Sequence, residues 1–136
     1  LEQEWKNEGS QRYDALVLDA FSGDSVPMHL LTEEAFALYF QHLKEDGVLL
    51  VHVTNLYLDL RGPVLTAAQE FGKDAVEIER DTDAWAENYS HWILITSNEA
   101  FLDDVRFDGW ALDWAFEESE EVRWTDDYSN LLQVLR

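Results

Sequence analysis

Apolar residues along this chain fall into blocks whose length and spacing predict alternating strands and helices. Ala15 to Ala20 (ALVLDA) is a continuous apolar run that ends on Asp19. Such a run predicts a strand near residues 14–20, buried on both faces as in a parallel sheet. Thr32 then opens TEEAFALYFQHLKEDG, with acids in the first turn and Phe36, Tyr39, Phe40 and Leu43 at helical spacing. The pattern predicts a helix capped by Thr32 and stopped at Gly47. Val48 to Thr54 (VLLVHVT) predicts a second buried strand, over 48–54. Leu56 to Phe71 reads as a helix interrupted by Gly62-Pro63, with Pro63 suited to the first regular turn. AVEIER and SHWILITS predict strands near 75–81 and 90–97. The short connection between them suits a hairpin rather than a crossover helix. From Asn98 the chain reads as a short helix, an aromatic segment, an acidic run and a tail, WTDDYSNLLQVLR.

The order strand, helix, strand, helix, strand, strand gives an α/β fold with a mixed sheet. The first two strands are expected to be parallel neighbours joined by a right-handed crossover, and the last pair an antiparallel hairpin. The 136 residues contain no repeat, low-complexity tract or linker, so 1–136 reads as a single domain.

Composition narrows the functional classes. The formal net charge is −20, from 29 acidic and 9 basic residues. That balance excludes a nucleic-acid partner, whose phosphates would be repelled. An acidic surface is mainly a matter of solubility, but an acidic cleft attracts cations such as amines. The chain has no cysteine, hence neither disulfides nor a thiolate zinc site, which fits a reducing, cytoplasmic setting. No apolar run approaches the ~20 residues that a membrane span needs. The four histidines show no paired ligand spacing, so no metal is expected; His52, inside an apolar strand, reads as a satisfied core residue.

Candidate chemistry collects after the first two strands. In parallel sheets ligands sit at the carboxyl ends of strands. Asp19 occupies such an end and is the first candidate; the competing reading is a turn aspartate bonding loop amides. Ser22 and Asp24 follow in the loop. Ser22 lacks the preceding glycine of a nucleophile elbow. Asn55 and Tyr57 follow the second strand, and either line a substrate pocket or, for Asn55, cap the next helix. Asp126 and Asp127 in the tail either hold a cation or start a helix.

The motif YDALVLDAFSGDSVPMHLLTEEAFALY resembles the segment around the fourth strand of spermidine synthases. KEDGVLLVHVTNLYLDL is similar to the helix end, strand and loop that follow it, and WTDDYSNLL to the tail of spermidine synthase-like proteins. The resemblance runs from Tyr13 to the end. It implies the carboxyl-terminal half of a domain with the S-adenosylmethionine-dependent methyltransferase fold, a partial Rossmann-like architecture. The parent reaction it implies is aminopropyl transfer from decarboxylated S-adenosylmethionine, the co-substrate, to a polyamine or other amine, with Asp19 as the catalytic carboxylate and Ser22, Asp24, Asn55 and Tyr57 around the amine. Where the family has a second aspartate this chain has Ser22, and no glycine-rich cofactor turn precedes Asp19. The chain alone is therefore expected to be inactive and to bind no cofactor; an upstream segment would complete a transferase. Two other classes remain: a noncatalytic α/β assembly or regulatory module, and a small-molecule methyltransferase. In the complete fold the 14–20 strand has a further neighbour, so its bare edge is expected to support a homo-oligomer.

Overall fold

The computed structural model describes residues 1–19, 27–55, 57–80, 90–107 and 121–135. Its centre is a four-stranded sheet of order β1-β2-β4-β3, formed by β1 (Tyr13–Leu18), β2 (Leu43–His52), β3 (Asp74–Arg80) and β4 (Ser90–Thr96). β1 and β2 are parallel, and β4 runs antiparallel to both β2 and β3. This is the mixed α/β sheet that the apolar blocks predict. The helices are α1 (Glu2–Glu8), α2 (Glu33–His42), α3 (Arg61–Glu70) and α4 (Glu99–Phe107).

Period-two register decides which side chains meet. Leu16, Leu18, Leu49, Val51, Ile93, Ile95 and Ala75 share one face, and they join Phe36, Tyr39, Val64, Leu65 and Ala68 of α2 and α3 in the main core. Asp19, His52, Thr54 and Trp92 fall on the opposite face by the same count. β1 corrects the expectation of a strand buried on both faces. It is terminal in the sheet, and Ala15 and Val17 are exposed, Val17 at 58%. Among the described residues nothing packs over this row, while Leu16 and Leu18 on the other face pack against the core.

The helix from Thr32 ends at His42, five residues before Gly47, and Leu43 to Gly47 belong to β2. Pairing overrides the helical propensity of LKED: Leu43 aligns with Tyr13, and a register shift follows before Val48 aligns with Ala15. Gly47 sits where a Cβ would lie 3.0 Å from the Tyr13 carbonyl oxygen and 3.1 Å from that of Lys44, so a larger residue would press on the backbone at this irregularity. The next helix also starts later than the pattern predicts, at Arg61, with Pro63 in its first turn. The tail does not form a helix at Asp126. It makes a turn, Thr125 to Tyr128, that caps α2: the Trp124 carbonyl accepts from Glu33 N–H at 2.8 Å, and Asp126 Oδ1 accepts from the Thr32 hydroxyl at 2.7 Å. Thr32 itself accepts from Ala35 N–H, the capping role its sequence context predicts. The aromatic segment and acidic run, 108–120, lie outside the described residues.

Tyr39 makes the core sensitive to alkali. It is 5% exposed and donates to the Leu30 carbonyl at 3.0 Å, and burial pushes its hydroxyl pKa from 10.0 to about 12. The unfolded chain therefore releases this proton first, and stability that is present below pH 10 is lost as the pH rises toward 12. The full loss amounts to about 3 kcal/mol for this group. Urea unfolding at pH 9 and pH 11 should show a smaller pH-induced loss for Tyr39→Phe than for the wild type; equal losses would remove Tyr39 as the cause.

Candidate functional site

Asp19 is the first residue past β1, at the carboxyl end of the strand, and its side chain is 56% exposed. The second parallel strand delivers His52 beside it. Because β1 and β2 run in register from Ala15↔Val48 to Leu18↔Val51, Asp19 and His52 end on neighbouring strands at the same level and on the same face. His52 Nδ1 lies 2.7 Å from Asp19 Oδ1. Its Nε2 lies 2.7 Å from Thr54 Oγ1, and that oxygen accepts from the His91 backbone N–H at 2.8 Å. The His52 ring stacks on Trp92, with centroids 4.5 Å apart and planes at 14°. Trp92 is the cross-strand partner of His52 on β4, so the stack follows from the antiparallel register.

An ionised carboxylate only accepts hydrogen bonds. In the neutral ring His52 Nδ1–H is then the donor to Asp19, and Nε2 accepts the Thr54 hydroxyl proton. All four polar atoms are satisfied by one consistent arrangement. Among the described residues, Asp19 Oδ2 has no hydrogen-bond partner, and the side chain is more than half exposed. The site can thus accept a proton or a cationic donor at a fixed position.

The other predicted residues divide. Asn55 Oδ1 accepts from the backbone N–H groups of Tyr57 and Leu58, both at 2.9 Å. This shapes the loop after β2 rather than capping α3, whose first amide, of Arg61, bonds Asp59. Tyr57 is 66% exposed at the same end of the sheet. Ser22 and Asp24 lie outside the described residues. His52 is the residue that sequence reading misplaces: it is satisfied, but beside Asp19 at the open edge instead of in the core. The signal available was its place in β2 relative to Asp19 in β1, which needs the strand register to be read.

Two further polar features lie away from Asp19. On the core face Glu77 accepts from His91 Nε2 at 2.8 Å, Arg61 approaches Glu77 at 3.9 Å, and Arg61 pairs with Asp59 through Nε and Nη2. Glu77 and His91 are 8% and 4% exposed. This network joins α3 to the β3–β4 pair and is structural. A groove of about 620 Å³ between the N-terminus and α2 is lined by Leu1, His29, Leu30, Glu34, Tyr39 and Asp126 among others. Two of its acids are engaged in the fold: Glu34 Oε2 accepts from Asp126 N–H, and Asp126 from Thr32. Among the described residues no group of three or more His, Asp or Glu side chains is placed to hold a metal ion. No helix among them is long and apolar enough to cross a membrane.

No protein-family model matches the chain, and no curated protein matches it. Among solved structures it is similar to the spermidine synthase from Thermotoga maritima, with 17% sequence identity and a TM-score of 0.47. The match covers 87% of this chain and 39% of that one, so the chain spans well under half the length of the protein it resembles.

Proposed function

We propose that this chain is the amine-accepting part of an aminopropyltransferase-like α/β domain, with Asp19 as the carboxylate that receives the acceptor amine. The observation that carries the reading is the half-engaged Asp19 at the strand end: one oxygen is held by His52, and among the described residues the other has no hydrogen-bond partner. The motif running from Tyr13 into α2 supports it independently. When bound, decarboxylated S-adenosylmethionine supplies an electrophilic carbon beside a sulfonium sulfur. This chain's part is to bind the amine as its cation, align it and take a proton from it, so that the lone pair of the neutral nitrogen forms the new C–N bond as the C–S bond breaks. The six glycines form no G-x-G-x-x-G turn, so the contribution argued for these residues is to the acceptor alone.

The test is a calorimetric titration with spermidine at moderate salt. A chain of net charge −20 attracts any polycation loosely, and that background is screened by salt over ~8–10 Å. The expected result is a saturable site that survives 0.15 M salt and weakens at least tenfold in Asp19→Asn. Affinity that is the same in both proteins would assign the binding to diffuse charge and favour the noncatalytic α/β module.

The free edge of β1 supports a second expectation, association of two copies. Among the described residues β1 pairs only with β2, and its exposed row is apolar, without lysine or proline between Ala15 and Asp19. A continuous sheet through two β1 edges would pair the bare amides and cover Val17. Light scattering at tens of micromolar protein should report a dimer that Val17→Lys weakens; a monodisperse monomer would refute it.

A further inference from the structure

The geometry assigns His52 as the positioning residue of the Asp19 site, with Thr54 fixing its tautomer. This inference rests on the amine-accepting reading above for its role, but its geometry stands on contacts within the chain. Carboxylates on an exposed strand end rotate freely unless something holds them. Here the imidazole holds Asp19 Oδ1 at 2.7 Å. The ring cannot swing away, because Trp92 stacks on it and Thr54 holds the far nitrogen. Thr54 is held in turn by the His91 amide, so the chain of contacts ends in the backbone of β4. A second layer that fixes the rotamer of a reactive group in this way is what site geometry requires.

The direction of the proton follows from the acceptors. Asp19 as carboxylate gives no proton, so Nδ1 must carry one, and in the neutral ring Nε2 is left to accept from Thr54. With Nδ1–H already aimed at Oδ1, His52 is not the group that takes a proton from an amine at Asp19. Its task is to keep Oδ2 pointed at the acceptor. In water the free imidazole favours the other tautomer, so the Nδ1–H form at His52 is a signature of the relay and not a default.

Two variants separate this role from simple packing. His52→Phe keeps a ring on Trp92 and removes both nitrogens. His52→Asn keeps an N–H donor near the Nδ1 position and loses the stack. Loss of a hydrogen bond to a charged group corresponds to roughly tenfold in affinity or more. Spermidine binding should therefore fall about tenfold in His52→Phe and stay within about threefold of wild type in His52→Asn. The reverse order would make His52 a packing residue. The tautomer is read directly from ¹⁵N spectra of the imidazole. Wild type should show the Nδ1–H form at His52, and both Asp19→Ala and Thr54→Val should shift it toward Nε2–H. An Nε2–H ring in the wild type would overturn the inference whatever the amine data show. If wild type binds no spermidine while the Nδ1–H form is present and lost in Asp19→Ala, the amine reading fails and the positioning of Asp19 stands.

Discussion

Glu77→Ala should lower the stability of this domain by about 3 kcal/mol, the scale for removing one member of a buried ionic contact. Glu77 is 8% exposed, accepts from His91 Nε2 and lies 3.9 Å from Arg61. Its removal takes away the acceptor at Nε2 and the carboxylate that faces Arg61. It also opens a small void at the seam between α3 and the β3–β4 pair. Most of the cost is electrostatic and polar, so shape alone should not rescue it. Glu77→Gln keeps an amide oxygen for His91 and should cost only about 1 kcal/mol, as for one weakened hydrogen bond. Glu77→Leu fills the space and should behave like alanine. Urea unfolding with m-values held constant checks all three. Glutamine as harmful as alanine would mean that the negative charge, not the hydrogen bond, dominates; leucine as mild as glutamine would mean that volume does.

Asp19→Asn should reduce aminopropyl transfer by ~10²-fold or more in a protein where this chain is joined to a cofactor-binding half, the usual scale for a positioned acid or base. The substitution is nearly isosteric and keeps an oxygen for His52 Nδ1–H, so the relay to Thr54 persists. What disappears is the negative charge that, in the proposed function, holds an ammonium group and accepts its proton. Stability should change by less than 1 kcal/mol, because the side chain is more than half exposed. A large fall in melting temperature would mean that Asp19 serves the fold; an unchanged rate with unchanged stability would return it to a turn residue.

Much of the sheet was legible because long apolar runs and a short β3–β4 connection leave few alternatives. The parallel β1–β2 pair and the antiparallel β4 follow from those features. The helix that ends early was not legible: LKED favours a helix, and the segment extends because Leu43 pairs with Tyr13 before a register shift, a long-range contact that local sequence does not show. α1 left no signal because EQEWKNE has no apolar stripe, and none of its residues is buried. At the site, Asp19 was visible as a carboxylate closing an apolar run. Its partner was not, since 33 residues separate His52 from Asp19 and only the register brings them to one face. The same alternation that hid His52 among core residues places its neighbours Val51 and Val53 in the core and His52 outside it. Asn55 was placed correctly at the strand end, while its job, bonding two loop amides, depends on a turn that composition does not encode.

The most direct measurement is a crystal structure of the chain with spermidine bound at 0.15 M salt. An amine nitrogen is expected within about 3 Å of Asp19 Oδ2, with Oδ1 still bonded to His52 and the imidazole still stacked on Trp92. Spermidine found only elsewhere on the acidic surface, with Asp19 left to solvent, would contradict it.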